Sequence, residues 1–128
     1  MTDPCTWCDL VGSGAGALYE SESFTLLGAV VPCPFPLTLV PRAHAAVLTD
    51  LDPGAMAGVL AGLARLSRAV RPTDRLDISA HLGAGGDHVH FHPTLTSLGP
   101  VGVPATPIRA PDDDPLACAM VAALRAVP

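Results

Sequence analysis

Residues 87–92 read DHVHFH, which places histidine at every second position: His88, His90 and His92. In a β-strand, side chains at alternate positions point to the same face of the sheet. The glycine-rich segment GAGG at 83–86 precedes them and predicts a tight loop. This stretch therefore predicts a strand over residues 89–95 with imidazoles on one face.

The remaining pattern predicts a single α+β domain over residues 1–128, with a mostly antiparallel sheet. Proline and turn residues separate short apolar runs, which predict the other strands at 17–20, 23–31, 38–40 and 76–82. One long central helix is expected to begin at Asp52-Pro53 and to end at Arg71-Pro72. Residues 99–111 are rich in proline and glycine and are expected to be extended, and DDDP at 112–115 opens a C-terminal helix over 112–127.

Composition excludes several classes of function. The chain has 128 residues, a net charge of −5 and no lysine, so no basic run is available to bind a nucleic-acid backbone. Without an apolar stretch of about 18 residues or a basic, apolar leader, we expect no membrane span and no signal peptide. A cytoplasmic protein that acts on a small molecule is the expectation.

The cysteines and histidines predict a zinc site. Cys5 and Cys8 form a CxxC pair, which in a reducing compartment favours a metal over a disulfide. Two histidines would complete a tetrahedral Cys2His2 site, and the sequence offers His44, His81 and His88 as candidates. Alternate residues on a straight strand lie about 6.5 Å apart, so the outer two of three alternating histidines cannot easily share one ion. The three histidines are therefore expected to have different roles.

These motifs, in this order, resemble the histidine triad (HIT) family, whose signature is His-x-His-x-His followed by apolar residues. The segment at 5–32 resembles the family's CxxC start and first hairpin. LTLVPRAHAAVLTDL at 37–51 resembles its apolar strand, the Pro-basic-x-His segment and the approach to the helix. The resemblance covers about residues 5–95 and implies a HIT-like fold. It also implies a homodimer, as in the related branch of the family.

The resemblance implies roles for individual residues. In the zinc-bearing branch, the metal ligands correspond to Cys5, Cys8, His44 and His88. The middle histidine, His90, matches the nucleophile that forms a nucleotidyl-histidine intermediate, and His92 matches the residue that hydrogen-bonds the phosphate or leaving-group oxygen. His81 is a further candidate acid or base. Backbone N–H groups of three glycines are expected to contact phosphate oxygens: Gly83, Gly85 and Gly86.

Departures from the family pattern keep two other functions open. Phe35-Pro36 stands where the family has Gly-His, Ala84 stands at a glutamine position, and Pro93-Thr94 follows the triad in place of a basic residue. The first expectation is a nucleotidyl hydrolase or transferase acting on a nucleoside monophosphoryl compound. The second is an enzyme of specialised metabolism that acts on a non-nucleotide substrate through histidine acid/base chemistry or through the zinc. The third is a non-catalytic binding protein.

Overall fold

The computed structural model describes seven segments of the chain: residues 12–14, 16–29, 36–45, 48–69, 75–81, 89–95 and 107–126. Their elements follow the predicted order β-β-β-α-β-β-α and confirm the α+β fold class. The strands are β1 (Ala17–Glu20), β2 (Phe24–Gly28), β3 (Leu37–Pro41), β4 (Leu76–His81) and β5 (His90–Leu95). The helices are α1 (Pro53–Leu66) and α2 (Pro115–Arg125). The single-domain assignment for residues 1–128 stays a prediction.

The central helix starts as the sequence predicts. Asp52 is the N-cap of α1, and its carboxylate accepts a hydrogen bond of 2.8 Å from the backbone N–H of Ala55. The helix ends at Leu66, earlier than predicted, and continues as a 3-10 turn over Ser67–Ala69. This turn closes the helix because the Ser67 hydroxyl donates to the Ala64 carbonyl. Residues 70–74 lie outside the described segments.

The C-terminal helix starts later than predicted. Asp112 and Asp113 do not open it, because Pro111–Asp113 forms a separate 3-10 turn. Asp114 then adopts an extended backbone and caps α2, and its carboxylate accepts from Ala117 N at 3.1 Å. Of the segment 99–111 that is predicted to be extended, residues 107–110 have no helix or strand and Pro111 begins the 3-10 turn. Within the described residues, no helix is long and apolar enough to cross a membrane.

The five strands form one antiparallel sheet in the order β1-β2-β3-β5-β4. The last strand in sequence thus lies between β3 and β4, which leaves β4 at an edge. One face packs against α1 and α2 and forms the core, which includes Phe24, Leu39, Phe91, Val59 and Met120. The helix approaches the sheet closely because Gly62 has no side chain. A Cβ there would collide with the Phe24 ring.

The opposite face of the sheet carries the histidines, and we call it the histidine face. It includes Thr25, Thr38 and Val40 of β2 and β3, together with His90 and His92 of β5. These five side chains are all buried. At the β4 edge, Asp77 and Ser79 continue the same face but are exposed to solvent. The histidine face is thus buried at the centre of the sheet and exposed at the β4 edge.

Candidate functional site

His90 and His92 lie on one face of β5, as their spacing predicts. The intervening Phe91 points to the core side, where it pairs with Leu39 of β3. The two imidazole rings are 5.1 Å apart between centroids and nearly perpendicular, at 78°. Only 5% of His90 and 4% of His92 is exposed. Burying two imidazoles costs desolvation free energy, so such a pair needs hydrogen-bond partners or a chemical use.

The ring of His92 is held through its Nδ1 atom by two oxygens of β3. The Leu37 carbonyl oxygen lies 3.0 Å from Nδ1, and the Thr38 hydroxyl oxygen lies 3.1 Å from it. A carbonyl oxygen can only accept a hydrogen bond, so the contact with Leu37 assigns the proton to Nδ1. In the neutral ring, the lone pair is then on Nε2. This gives His92 a defined tautomer with Nε2 as the basic nitrogen.

Strand β4 places its own polar residues opposite the two histidines. His81 pairs with His90 and Ser79 pairs with His92 in the antiparallel register. The register thus brings the backbone position of His81, the third predicted catalytic residue, next to His90. Sequence reasoning did not identify Ser79. The pairing of 76–82 with 89–95 across a short loop was the available signal, since it places Ser79 on the histidine face.

The segment that carries His44 lies beside the start of β5. The backbone N–H of Val89 donates to the Ala45 carbonyl oxygen at 2.8 Å, so residues on either side of this bond are close in space. His44 is next to Ala45 in sequence and is exposed. His88, which is next to Val89 in sequence, lies outside the described residues. The hydrogen bond therefore brings together the two chain segments to which the predicted histidine ligands belong.

Most of the residues that are predicted to bind zinc or phosphate lie outside the described residues. They are Cys5, Cys8, His88, Gly83, Gly85 and Gly86. Among the residues that are described, no group of three or more His, Cys, Asp or Glu side chains could hold a metal ion. The zinc site therefore stays a prediction, of which His44 is the described member.

The structure also has a surface depression that lies away from the histidines. It is an open groove of about 570 Å³ at the β1 edge of the sheet, and the described residues that line it include Tyr19, Glu20 and Arg125. The β1 edge is separated from β5 by two strands. Its described lining includes no histidine or cysteine.

No family model matches the chain, but individual relatives do. An uncharacterized HIT-like protein of Mycobacterium tuberculosis, found in two strains, is 32% identical over 103 residues. The match spans 76% of this chain and 72% of the relative. This degree of identity over most of both chains reflects common family membership rather than a shared fold alone.

Solved structures agree with this relationship. A Zn-bound histidine triad family protein from Mycobacterium smegmatis is 26% identical, with a TM-score of 0.60, covering 94% of this chain and 92% of its own. A histidine triad nucleotide-binding protein from Candida albicans is 18% identical, with a TM-score of 0.58, covering 72% of this chain and 74% of its own. The second likeness supports the fold alone.

Proposed function

This chain belongs to the histidine triad (HIT) family, and we propose that it is a hydrolase or nucleotidyltransferase acting on a nucleoside monophosphoryl compound. The observation that carries the proposal is the buried pair of imidazoles on β5, with the His92 ring held through Nδ1. One ring serves as nucleophile, and the other, with Nε2 as its basic nitrogen, serves as acid and base. The pair thus supplies both groups that a two-step displacement requires.

The reaction has two balanced steps. A ring nitrogen of neutral His90 attacks the α-phosphorus, and the bond from phosphorus to the leaving group breaks. The leaving group departs with the electron pair and takes a proton from Nε2 of the His92 imidazolium. Water then attacks the phosphorus of the nucleotidyl-histidine, gives its proton to His92 Nε2 and releases the nucleotide, which regenerates both histidines. In a transferase, another hydroxyl or amine replaces water.

The phosphate is proposed to bind at the loop between β4 and β5. Because His81 pairs with His90, this loop starts and ends beside the proposed nucleophile. Residues Gly83, Gly85 and Gly86 belong to it, and glycine allows backbone N–H groups to approach phosphate oxygens closely. His81, at the end of β4, is proposed as an additional acid or base for the acceptor.

We propose that Cys5, Cys8, His44 and His88 hold a structural zinc ion. Two thiolates and two imidazoles fill the four positions of a tetrahedral site, so the ion contributes stability to the fold and leaves no coordination position for substrate. The hydrogen bond from Val89 to Ala45 supports this set, because it joins the chain segments of His44 and His88. The Zn-bound family member from Mycobacterium smegmatis supports it as well.

The partner proposed for this chain is a second copy of itself. Strand β4 is the edge of the sheet, and edge strands expose backbone groups that can pair with another chain. Ile78 of this edge strand is a large apolar residue whose side chain is 37% exposed. A homodimer formed through this edge would cover Ile78.

The function is tested by measuring zinc content and hydrolysis of an adenosine 5′-phosphoramidate on one preparation. Wild type, His90→Ala and Thr25→Val are compared, since Thr25 lies on the same sheet face but outside the proposed chemistry. We expect release of AMP by wild type and by Thr25→Val, and at least about a thousandfold loss in His90→Ala. Zinc without hydrolysis would favour the non-nucleotide enzyme, and hydrolysis retained by His90→Ala would exclude His90 as nucleophile.

A further inference from the structure

In a regular sheet, the Leu37 carbonyl of β3 would accept a hydrogen bond from a backbone N–H of β5. Here that carbonyl is available to the side chain of His92. Leu39 pairs with Phe91, so the same antiparallel register sets Leu37 opposite Pro93. Val89, which has the same strand parity as Phe91 and Pro93, sends its N–H toward the β3 side, to Ala45. An N–H at position 93 would therefore point to the Leu37 carbonyl. Proline has no N–H, so the β5 backbone gives this carbonyl no donor.

His92 takes the place of the missing backbone donor. Its Nδ1 lies 3.0 Å from the Leu37 carbonyl oxygen, within a buried part of the sheet. Thr38, in register with His92, adds its hydroxyl oxygen as a second acceptor at 3.1 Å. Threonine is branched at Cβ and has few rotamers, so its hydroxyl oxygen has a well-defined position. Pro93 and Thr38, 55 positions apart in sequence, thus both determine the hydrogen bonding of the His92 Nδ1–H group.

We propose that Pro93 and Thr38 are positioning residues that hold His92 in its Nδ1–H tautomer, so that proton transfer takes place at Nε2. The inference rests on the proposed function, in which the leaving group takes its proton from His92. Nδ1 keeps its proton and its two oxygen partners before and after that transfer, while Nε2 loses its proton and later regains it from water. The ring then needs no rotation between the two steps of the reaction.

The tautomer is tested directly, without reference to activity. Imidazole ¹⁵N NMR spectra of the full-length, zinc-loaded protein are compared for wild type, Thr38→Val, Thr38→Ser and Pro93→Val. We expect His92 of wild type and of Thr38→Ser to be protonated at Nδ1. In Thr38→Val and Pro93→Val the ratio of the two tautomers should fall by about three- to tenfold, the worth of one hydrogen bond. Thr25→Val removes a hydroxyl from the same sheet face and should leave the His92 signals unchanged.

The positioning role is tested by varying the leaving group. An amine leaving from a nucleoside phosphoramidate needs a proton, whereas p-nitrophenolate leaves from a nucleoside p-nitrophenyl phosphate without one. In single-turnover experiments, we expect Thr38→Val to slow formation of the nucleotidyl-histidine from the phosphoramidate by about three- to tenfold, with KM nearly unchanged, and to leave its formation from the p-nitrophenyl ester nearly unchanged. Thr38→Ser should restore the rate.

The outcomes separate this inference from the proposed function. If wild type is active and His90→Ala inactive, while Thr38→Val and Pro93→Val match wild type in tautomer and in both rates, the positioning inference is wrong and the proposed function stands. If wild type cleaves neither substrate, the proposed function is wrong, and the NMR spectra still decide whether Thr38 and Pro93 control the tautomer. Wild-type His92 protonated only at Nε2 would overturn the inference in either case.

Discussion

The backbone N–H of Val89 donates to the carbonyl oxygen of Ala45 at 2.8 Å, which joins the segment after β3 to the start of the histidine strand. Each of these residues has a histidine next to it in sequence, His88 and His44, and both are proposed zinc ligands. A metal held there would tie β3 to β5 near the site. Loss of the metal should therefore lower the stability of the sheet.

Substitution of His44 is expected to reduce zinc binding. His44→Ala keeps three of the four proposed ligands. Its zinc content should therefore fall well below that of wild type, which is expected to be about one ion per chain, and its melting temperature should fall as well. Elemental analysis and thermal unfolding measure the two effects. Arg42→Ala is the matched control, because Arg42 is also exposed in this segment but is no ligand. Full zinc content in His44→Ala would remove His44 from the ligand set.

Thr25 is expected to limit stability. Its hydroxyl is fully buried and has no hydrogen-bond partner in the described structure. Leaving such a group unsatisfied costs about 1–3 kcal/mol, and a valine of the same shape avoids that cost. Thr25→Val should therefore raise the free energy of unfolding by about 1 kcal/mol in urea titrations. Thr38→Val is the informative contrast, since that hydroxyl has a partner in His92, and this variant should not be stabilised. A destabilised Thr25→Val would indicate that its hydroxyl is satisfied in solution.

From the packing of α1 on β2 we expect Gly62→Ala to destabilise the protein, although helix propensity favours alanine over glycine. An alanine at a helix interior is ordinarily favoured over glycine by about 1 kcal/mol. At Gly62 the added Cβ would meet the Phe24 ring, and overpacking of this kind costs about 1–3 kcal/mol, so we expect it to outweigh the gain. Chemical denaturation of Gly62→Ala shows whether the free energy of unfolding rises or falls. Gly54→Ala, at the exposed start of the same helix, should be neutral or slightly stabilising, whereas a stabilised Gly62→Ala would mean that the helix can move away from β2.

The edge strand predicts a dimer that a single charge disrupts. Ile78→Lys places a charge within the proposed contact, where a second copy would have to desolvate it. Light scattering at several concentrations should give a dimer mass for wild type and a monomer mass for this variant. Glu22→Lys changes an exposed residue in the turn between β1 and β2 and should remain dimeric. A wild type that is monomeric at all concentrations would contradict the proposal.

Local patterns in the sequence are sufficient to predict the order of the elements and the shared face of His90 and His92. Strand alternation and the Asp52 cap depend on neighbouring residues, and both occur as predicted. The ends of the helices were less predictable. Asp114, rather than the start of the aspartate run, caps α2 because Pro111–Asp113 turns separately.

The long-range contacts of the site could not be predicted in the same way. The bond between Thr38 and His92 joins residues 54 positions apart, and it depends on the placement of β5 between β3 and β4. Pro93 was noted only as a departure from the family pattern. Its effect on Leu37 follows from the strand register, which a single sequence does not provide.

The measurement that tests the central claim most directly is acid-quench mass spectrometry during turnover of an adenosine 5′-phosphoramidate. The account predicts a transient adenylyl adduct on wild type, mapped by peptide fragmentation to His90. The adduct should be absent from His90→Ala and present on Thr25→Val, which keeps the proposed chemistry. AMP release without any adduct, or an adduct on a residue other than His90, would contradict the account.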